Sequence, residues 1–284
     1  MKPVKRFEEY IIENKHHPIT LNDYLINPAT AFLKYLVHAK DATKQCQTKF
    51  KVSRAKKYTD DALDSIYIIN AGLLASIMGN FETYQKYLFA NMFEYSIYLK
   101  EFNLSSFLKN LKNTLKISNS TTSNKFEVDF IRFAAYRDTS IPVGLVLADQ
   151  LSNWQSPTMV NEYFMAFSLK DHDGNKKNIY SKDDIENLSI LWQMRHSIVH
   201  TASTITLPDA QKIRSLSEFG GKVISLDLQF ILEVARKMHP IIKRATENMR
   251  NNFVNNLKND VSTDTKKKID DIFSVKSSCS SWLR

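Results

Sequence analysis

Arg195, His196 and His200 fall within one six-residue stretch and form the densest chemistry-bearing group in the chain. An arginine offers five N–H donors in a rigid fork and a charge it cannot lose. A histidine titrates near neutrality, so it can take a proton or return one. On a helical wheel, Leu188, Leu191, Trp192, Ile198 and Val199 gather on one side, and Arg195 lies in the middle of that stripe. An unpaired buried charge costs several kcal/mol, so Arg195 is expected to meet an anion or to line a cleft. His196 and His200 stand one turn apart at the edge of the stripe. Two histidines at this spacing can hold a metal, but no Glu lies between them and no Cys or acid follows nearby. No metal or other cofactor is therefore expected. Taken singly, each residue also has a plain reading, a satisfied core histidine or a structural ion pair.

The joint pattern is more specific. Arg195-His-Ser-Ile-Val-His200 resembles the Arg-x4–6-His motif of the HEPN superfamily, the higher eukaryote and prokaryote nucleotide-binding domains. In the family pattern a polar residue follows the arginine, and His196 fills that place. The motif closes a long helical stretch, Leu188-Ser-Ile-Leu-Trp-Gln-Met-Arg-His-Ser-Ile-Val-His, second from last in an all-helical order. Upstream, Gly79-Asn-Phe-Glu82-Thr-Tyr is similar to a Phe-Glu stretch on an early helix of related members. The resemblance covers roughly residues 58 to 258.

That resemblance implies a four-to-five-helix bundle that dimerises, with motif helices of two subunits meeting at one cleft. It also implies metal-independent cleavage of RNA, often by a toxin or antiphage-defence effector held by an antitoxin or other regulatory partner. The residue types suit the chemistry. RNA supplies its own nucleophile, the ribose 2′-OH; His200 would act as acid and base, Arg195 as phosphate clamp, and His196 in support. Glu82 would orient an imidazole or pair with Arg195; its plain reading is an exposed helix acid. Residues 195 and 200 are separated by about 140° on an ideal helix. They can share one phosphate only if the helix end distorts or two subunits contribute, and the second is preferred. The alternative is a non-catalytic HEPN module that binds RNA or nucleotide, or scaffolds a partner protein.

The elements that must position these residues are helices. Gly and Pro together number 13, against roughly 34 for average usage in a chain of 284 residues. Thr59, followed by Asp60 and Asp61, opens a long helical pattern with apolar residues at 63, 66, 69, 73, 77, 81, 84 and 88. Gly72 and Gly79 are expected to bend or split it. Further helices are expected over 104–115, 126–136 and 143–154, and the Ser/Thr/Asn stretch 118–124 reads as a loop. A turn is expected over Asp171-His-Asp-Gly-Asn175. Ser181 caps the motif helix, with Asp183 and Asp184 in its first turn. A short helix spans 208–217, Gly220-Gly221 break the chain, and a long last helix begins near Ser225, which Pro240 should kink or divide. Residues 1–57 read as a basic extension with short helices interrupted by Pro18 and Pro28, and 259–284 as a frayed polar tail. The expected fold is all-α, a HEPN-like bundle with an N-terminal helical extension.

Charge points the same way as the motif. The net charge is +9, with +7 in residues 1–57, +6 in 236–284 and −4 between them. Basic ends suggest a polyanion, nucleic acid first. A helical DNA-binding regulator is disfavoured, since no helix-turn-helix with a convincing recognition helix is visible. The aromatic cluster Tyr84, Tyr87, Phe89, Phe93, Tyr95 and Tyr98 reads as core and dimer packing before base stacking. Two cysteines, Cys46 and Cys279, cannot staple a chain of this size. Met1–Glu9 carries no apolar signal core, and the apolar stretch 66–78 is short for a bilayer. The expectation is a cytoplasmic protein with no membrane partner.

Overall fold

The structure is a computed structural model that describes residues 18–51, 57–115, 135, 141–171, 174–175 and 178–276. The fold is all-α. About 72% of the described residues are helical, and none lies in a strand. Isolated bridges join Leu99 to Leu257 and Thr204 to Val223. In chain order the helices are α1 (Leu21–Ile26), α2 (Pro28–Phe50), α3 (Asp60–Glu94), α4 (Leu104–Thr114), α5 (Val143–Gln150), α6 (Pro157–Met165), α7 (Lys182–His200), α8 (Leu207–Gln211), α9 (Phe230–Asn255) and α10 (Thr263–Phe273), with short 3-10 turns at Ser96–Tyr98 and Arg214–Phe219. The expected helix over 126–136, save residue 135, the loop 118–124, Cys279, and His172 and Asp173 of the expected turn lie outside the described residues.

Most helix starts follow from side-chain caps. Thr59 accepts from the Ala62 amide and Asn103 from Ser106. Ser181 and Asp184 form a reciprocal capping box at the head of α7. Pro28 does not interrupt a helix; it is the first residue of α2, where its missing N–H costs nothing, and Asn27 caps the Thr30 amide. Gly72 and Gly79 do not split α3, which runs unbroken for 35 residues. Pro240 likewise lies inside one continuous 26-residue helix, with Met238, Ile241 and Ile242 buried on both sides of it. Core packing of both halves outweighs the lost hydrogen bond. Helix α9 begins at Phe230 and not near Ser225, because Lys222 and Ile224 pair with Ile205 and Ser203 in an extended stretch. The expected helix 143–154 ends at Gln150, and Ser156 and Pro157 then start α6, which the sequence reading did not separate.

Helix α3 is the axis of the core. From Leu74 to Met92 it buries Ile77, Met78, Phe81, Tyr84, Leu88 and Phe89 against α2, α5, α7 and α9. The expected aromatic cluster belongs to this packing: Phe89 meets Phe107, Trp154, Phe164 and Phe167, and Tyr84 meets Phe32 and Phe81. Burial pushes the Tyr84 and Tyr180 phenols far above their ordinary range. Gly144 lets α5 lie on the α3 backbone, since a Cβ there would come within 2.4 Å of the Ala90 carbonyl oxygen. By length and composition alone α3 could cross a membrane, its most apolar stretch having a mean hydropathy of 1.4, although only 28% of that stretch is buried.

Helices α2 and α10, within the expected extension and tail, contribute to the same core as α3. Phe32, Leu33 and Leu36 of α2 are fully buried in it, as are Ile269 and Phe273 of α10 to within 2%. The chain ends are also tied: the Asn27 amide donates to the carbonyls of Asp271 and Ser274 at 2.6 and 2.7 Å. The tail is polar in composition but amphipathic in arrangement, and Phe273 rests on Phe253 of α9. Phe273→Ala should therefore cost about 3–5 kcal/mol in denaturant unfolding, the usual price of an emptied aromatic site. A frayed tail would show no change.

Candidate functional site

The apolar stripe on α7 emerges from the core as the helix proceeds. Leu188 is fully buried, Leu191 and Trp192 are 5% and 6% exposed, Arg195 is half-buried, and Val199 is 48% exposed. Val199 was expected inside the stripe; it lies past the end of the main core and faces solvent. Arg195 thus sits where the stripe leaves the protein interior. Its Nε is buried without a hydrogen-bond partner, and among the described residues its guanidinium makes no ion pair. Trp192, three residues earlier, also holds a buried Nε1–H with no acceptor. The contrast with Arg244 is plain: its guanidinium meets Asp184, 5% exposed at the head of α7, at 2.6 Å.

His196 and His200 are both exposed, and their rings lie 4.9 Å apart at a 46° tilt. They share a face of α7 that Arg195 does not. Helix α7 stays regular to His200, and its C-cap Thr201 bonds back to the Ser197 carbonyl. The helix end does not distort, so within one subunit Arg195 and His200 keep the wide angular separation of an ideal helix. His196 Nε2 lies 3.9 Å from Asp209 Oδ2 on α8. Hydrogen bonds from Lys212 and Thr206 hold the Asp209 carboxyl below its ordinary range, with a smaller contribution from His196. An ionised Asp209 can therefore stand beside His196 through the neutral range.

A compact segment after α7 supports these residues. The Ser197 carbonyl accepts from the amides of Thr201 and Ser203 and from the Thr201 hydroxyl. Ala202 and Ser203 adopt positive φ of 47° and 64° to make this sharp exit. The chain then buries Ile205, Ala210, Leu216, Ile224 and Leu226 in a second, small core against Met194 and Ile198 of α7, Tyr67 and Ala71 of α3, and Phe230 of α9. Asp209, Ser197 and Thr201 went unnoticed in the sequence because none stands on the helical stripe. The Thr206-x-x-Asp209 spacing, a capping signature, was the available signal.

No protein-family model, curated protein or solved structure matches the chain. The site must be read from its own geometry.

Glu82 does not join the group. It faces the α5 side of α3, where Lys86 lies 3.2 Å from its carboxylate and 3.5 Å from Asp149, and Gln155 reaches its other oxygen. Its neighbour Phe81 faces Trp192, one residue's rotation away. Among the described residues no group of three or more His, Cys, Asp or Glu is placed to hold a metal ion.

The structure therefore brings His196 and His200 together on one face at the end of α7, adds Asp209 beside His196, and leaves Arg195 on the adjoining stripe. The orphaned Arg195 makes a stability prediction. Arg195→Met should leave the unfolding midpoint unchanged or slightly raised, because no partner is lost and a buried donor is relieved. Arg244→Met should lower stability by about 3 kcal/mol, since it strands the Asp184 carboxylate. Equal losses in the two variants would mean that Arg195 has a stabilising partner.

Proposed function

We propose that the protein is a metal-independent endoribonuclease of HEPN type. The observation that supports this most is Arg195: a guanidinium held at the mouth of an apolar stripe, with no ion-pair partner among the described residues, next to exposed His196 and five residues before exposed His200. A site that keeps a cation unpaired is suited to an anion from outside, and a phosphodiester fits the planar fork. The proposed reaction uses the ribose 2′-OH. His200 takes its proton as the oxygen attacks phosphorus; Arg195 neutralises the charge growing on the phosphoryl oxygens; the bond to the 5′ oxygen breaks, and the His200 imidazolium returns the proton to that oxygen. The products are a 2′,3′-cyclic phosphate and a 5′-hydroxyl. His196, beside Asp209, supports orientation or proton transfer. Catalysis rests on no acid at position 82. The role as a toxin or defence effector, with a regulatory partner, rests on the resemblance alone.

The angular separation of Arg195 and His200 favours a homodimer in which each cleft takes residues from both subunits. Among the described residues, exposed large apolar side chains flank the parts that build the small core: Val199 follows Ile198, Ile68 follows Tyr67, and Leu207, Phe219 and Val223 lie in the segment itself. A patch of this kind, on an isologous two-fold, would bring the two motif helices together. The same surface with no catalysis would make the protein a binding or scaffolding module.

Purified protein incubated with total RNA in EDTA should cut it and leave cyclic phosphate ends. His200→Ala should slow cleavage by about 10²–10⁴-fold while folding normally. Arg195→Lys should also be poor, because a point charge does not reproduce the fork, and His196→Ala should be milder. Dependence on Mg²⁺, 5′-phosphate ends or an undiminished His200→Ala rate would sink the mechanism. RNA binding without cleavage would favour the module.

In sedimentation at micromolar concentration the protein should run as a dimer. Ile68→Glu with Val199→Glu should give a monomer that has lost cleavage. A wild-type monomer with full activity would refute the shared cleft.

A further inference from the structure

A groove of about 320 Å³ runs between α2 and the first half of α9. Its walls carry Lys40 and Lys44 from α2 and Arg236 from α9, over a floor of Leu228 and Leu232, and no acidic side chain lines it. The acids nearby are bound up at the rim: Asp41 lies 3.5 Å from Lys40, and Glu233 lies 2.8 Å from Arg236. The Arg236–Glu233 pair is exposed on both sides, and such pairs are worth at most about 1 kcal/mol and yield readily to a stronger anion. The groove is also held open by fixed structure. The Gln47 side-chain amide donates to the Leu228 carbonyl, and the Asn70 amide donates to the Asp227 carbonyl at 2.8 Å, so α2 and α3 both grip the backbone leading into α9. An adjoining depression shares Lys44 and adds Lys49, with Asp41 also on its wall; Phe50, next in the chain after Lys49, is exposed.

We propose that this groove binds the phosphate backbone of a single-stranded RNA segment flanking the cleavage site. The inference rests on the RNA reading above and names a second, separate contact for the same strand. Spaced cations along an open channel suit a repeating anion better than a single compact one, and an aromatic at its end offers a stacking surface. The position suits a flanking segment. Phe230, which follows the groove residues Leu228 and Gln229, packs on the same small core as Ile198 of the motif helix. A strand leaving the groove at the start of α9 therefore meets the segment that carries the motif.

The test is binding of a fluorescein-labelled 2′-O-methyl oligoribonucleotide of about 20 nucleotides, which lacks the nucleophile and cannot be cut. Anisotropy is read across a salt series for the wild type, for Lys40→Gln/Lys44→Gln/Arg236→Gln, and for Lys266→Gln/Lys267→Gln/Lys268→Gln. The last removes the same charge from the exposed face of α10. The groove variant should weaken binding on the order of 10- to 100-fold and flatten the log–log salt slope by about 2, from three lost phosphate contacts at roughly 0.7 each. The α10 variant should change little. Equal loss in both variants, no loss in the groove variant, or equal displacement by polyglutamate would overturn the proposal. RNA cleavage that proceeds with unchanged affinity in the groove variant would overturn this inference alone. Groove-dependent binding without cleavage would overturn the nuclease reading and leave the groove standing.

Discussion

Three buried amides on α3 hold the loops of this protein in place. Asn70 and Gln85 are fully buried and Asn91 nearly so, and each donates to a backbone carbonyl far away in the chain: Asp227, Trp154 and Leu25. A buried amide without a partner is costly, and so is a buried carbonyl. Each bond therefore allows a loop to lie against the core instead of in water. The Asp227 bond sets the start of α9, the Trp154 bond the turn into α6, and the Leu25 bond the joint between α1 and α2. Asn161 works in the same way from α6, both donating to and accepting from the Tyr180 backbone just before α7. The motif helix thus starts from a fixed point, and its register on α3 follows through Phe81, Trp192 and Tyr180.

The helices were legible where their signals were local. Thr59 and Ser181 announce α3 and α7 by caps, and the three-and-four spacing of apolar residues marks both them and α9. What could not be read was governed by packing between distant segments. Pro240 and the glycines of α3 carry local penalties of about 1–3 kcal/mol, which buried flanking residues override. The roles of α2 and α10 were hidden for a related reason. Helix α10 is polar in composition and buries only Ile269, Ile272 and Phe273, while α2 buries its first half, from Pro28 to Ala39, and carries its lysines mainly in the second. Charge averaged over a segment says nothing of which face those residues occupy.

At the site, the stripe on α7 showed that Arg195 would stand among apolar residues. It could not show that the stripe leaves the core at that residue, because the end of the main core is set by where α3 stops covering α7. That boundary separates Leu188 from Val199 and leaves Arg195 between them. Nor could periodicity reveal Asp209, which reaches His196 only because the chain turns sharply through Ala202 and Ser203. Glu82 shows the reverse error. Its neighbour Phe81 does face the motif helix, but one residue of helical rotation turns the carboxylate to Lys86.

The difference between Arg244 and Arg195 bears on what α7 is for. Arg244 reaches the head of this helix from α9, and Arg195 stands on the helix itself near its other end. Arg244 meets Asp184, which is buried, capped and ion-paired, and the head of the helix is finished structurally. At the other end a cation, a buried indole N–H and two imidazoles are presented with one carboxylate, Asp209, and that carboxylate already serves Thr206 and Lys212. Donors are in excess of acceptors there. An excess of donors in a partly dry site is unfavourable for the isolated chain and favourable only when an anion arrives, so the imbalance works toward binding and against stability. The small core under α8 has the same character: it secures Asp209 and the exit from α7, yet leaves apolar side chains around its rim in water. Both features cost the single chain something, and both would be relieved by one event, the closing of a second motif helix over a shared phosphate.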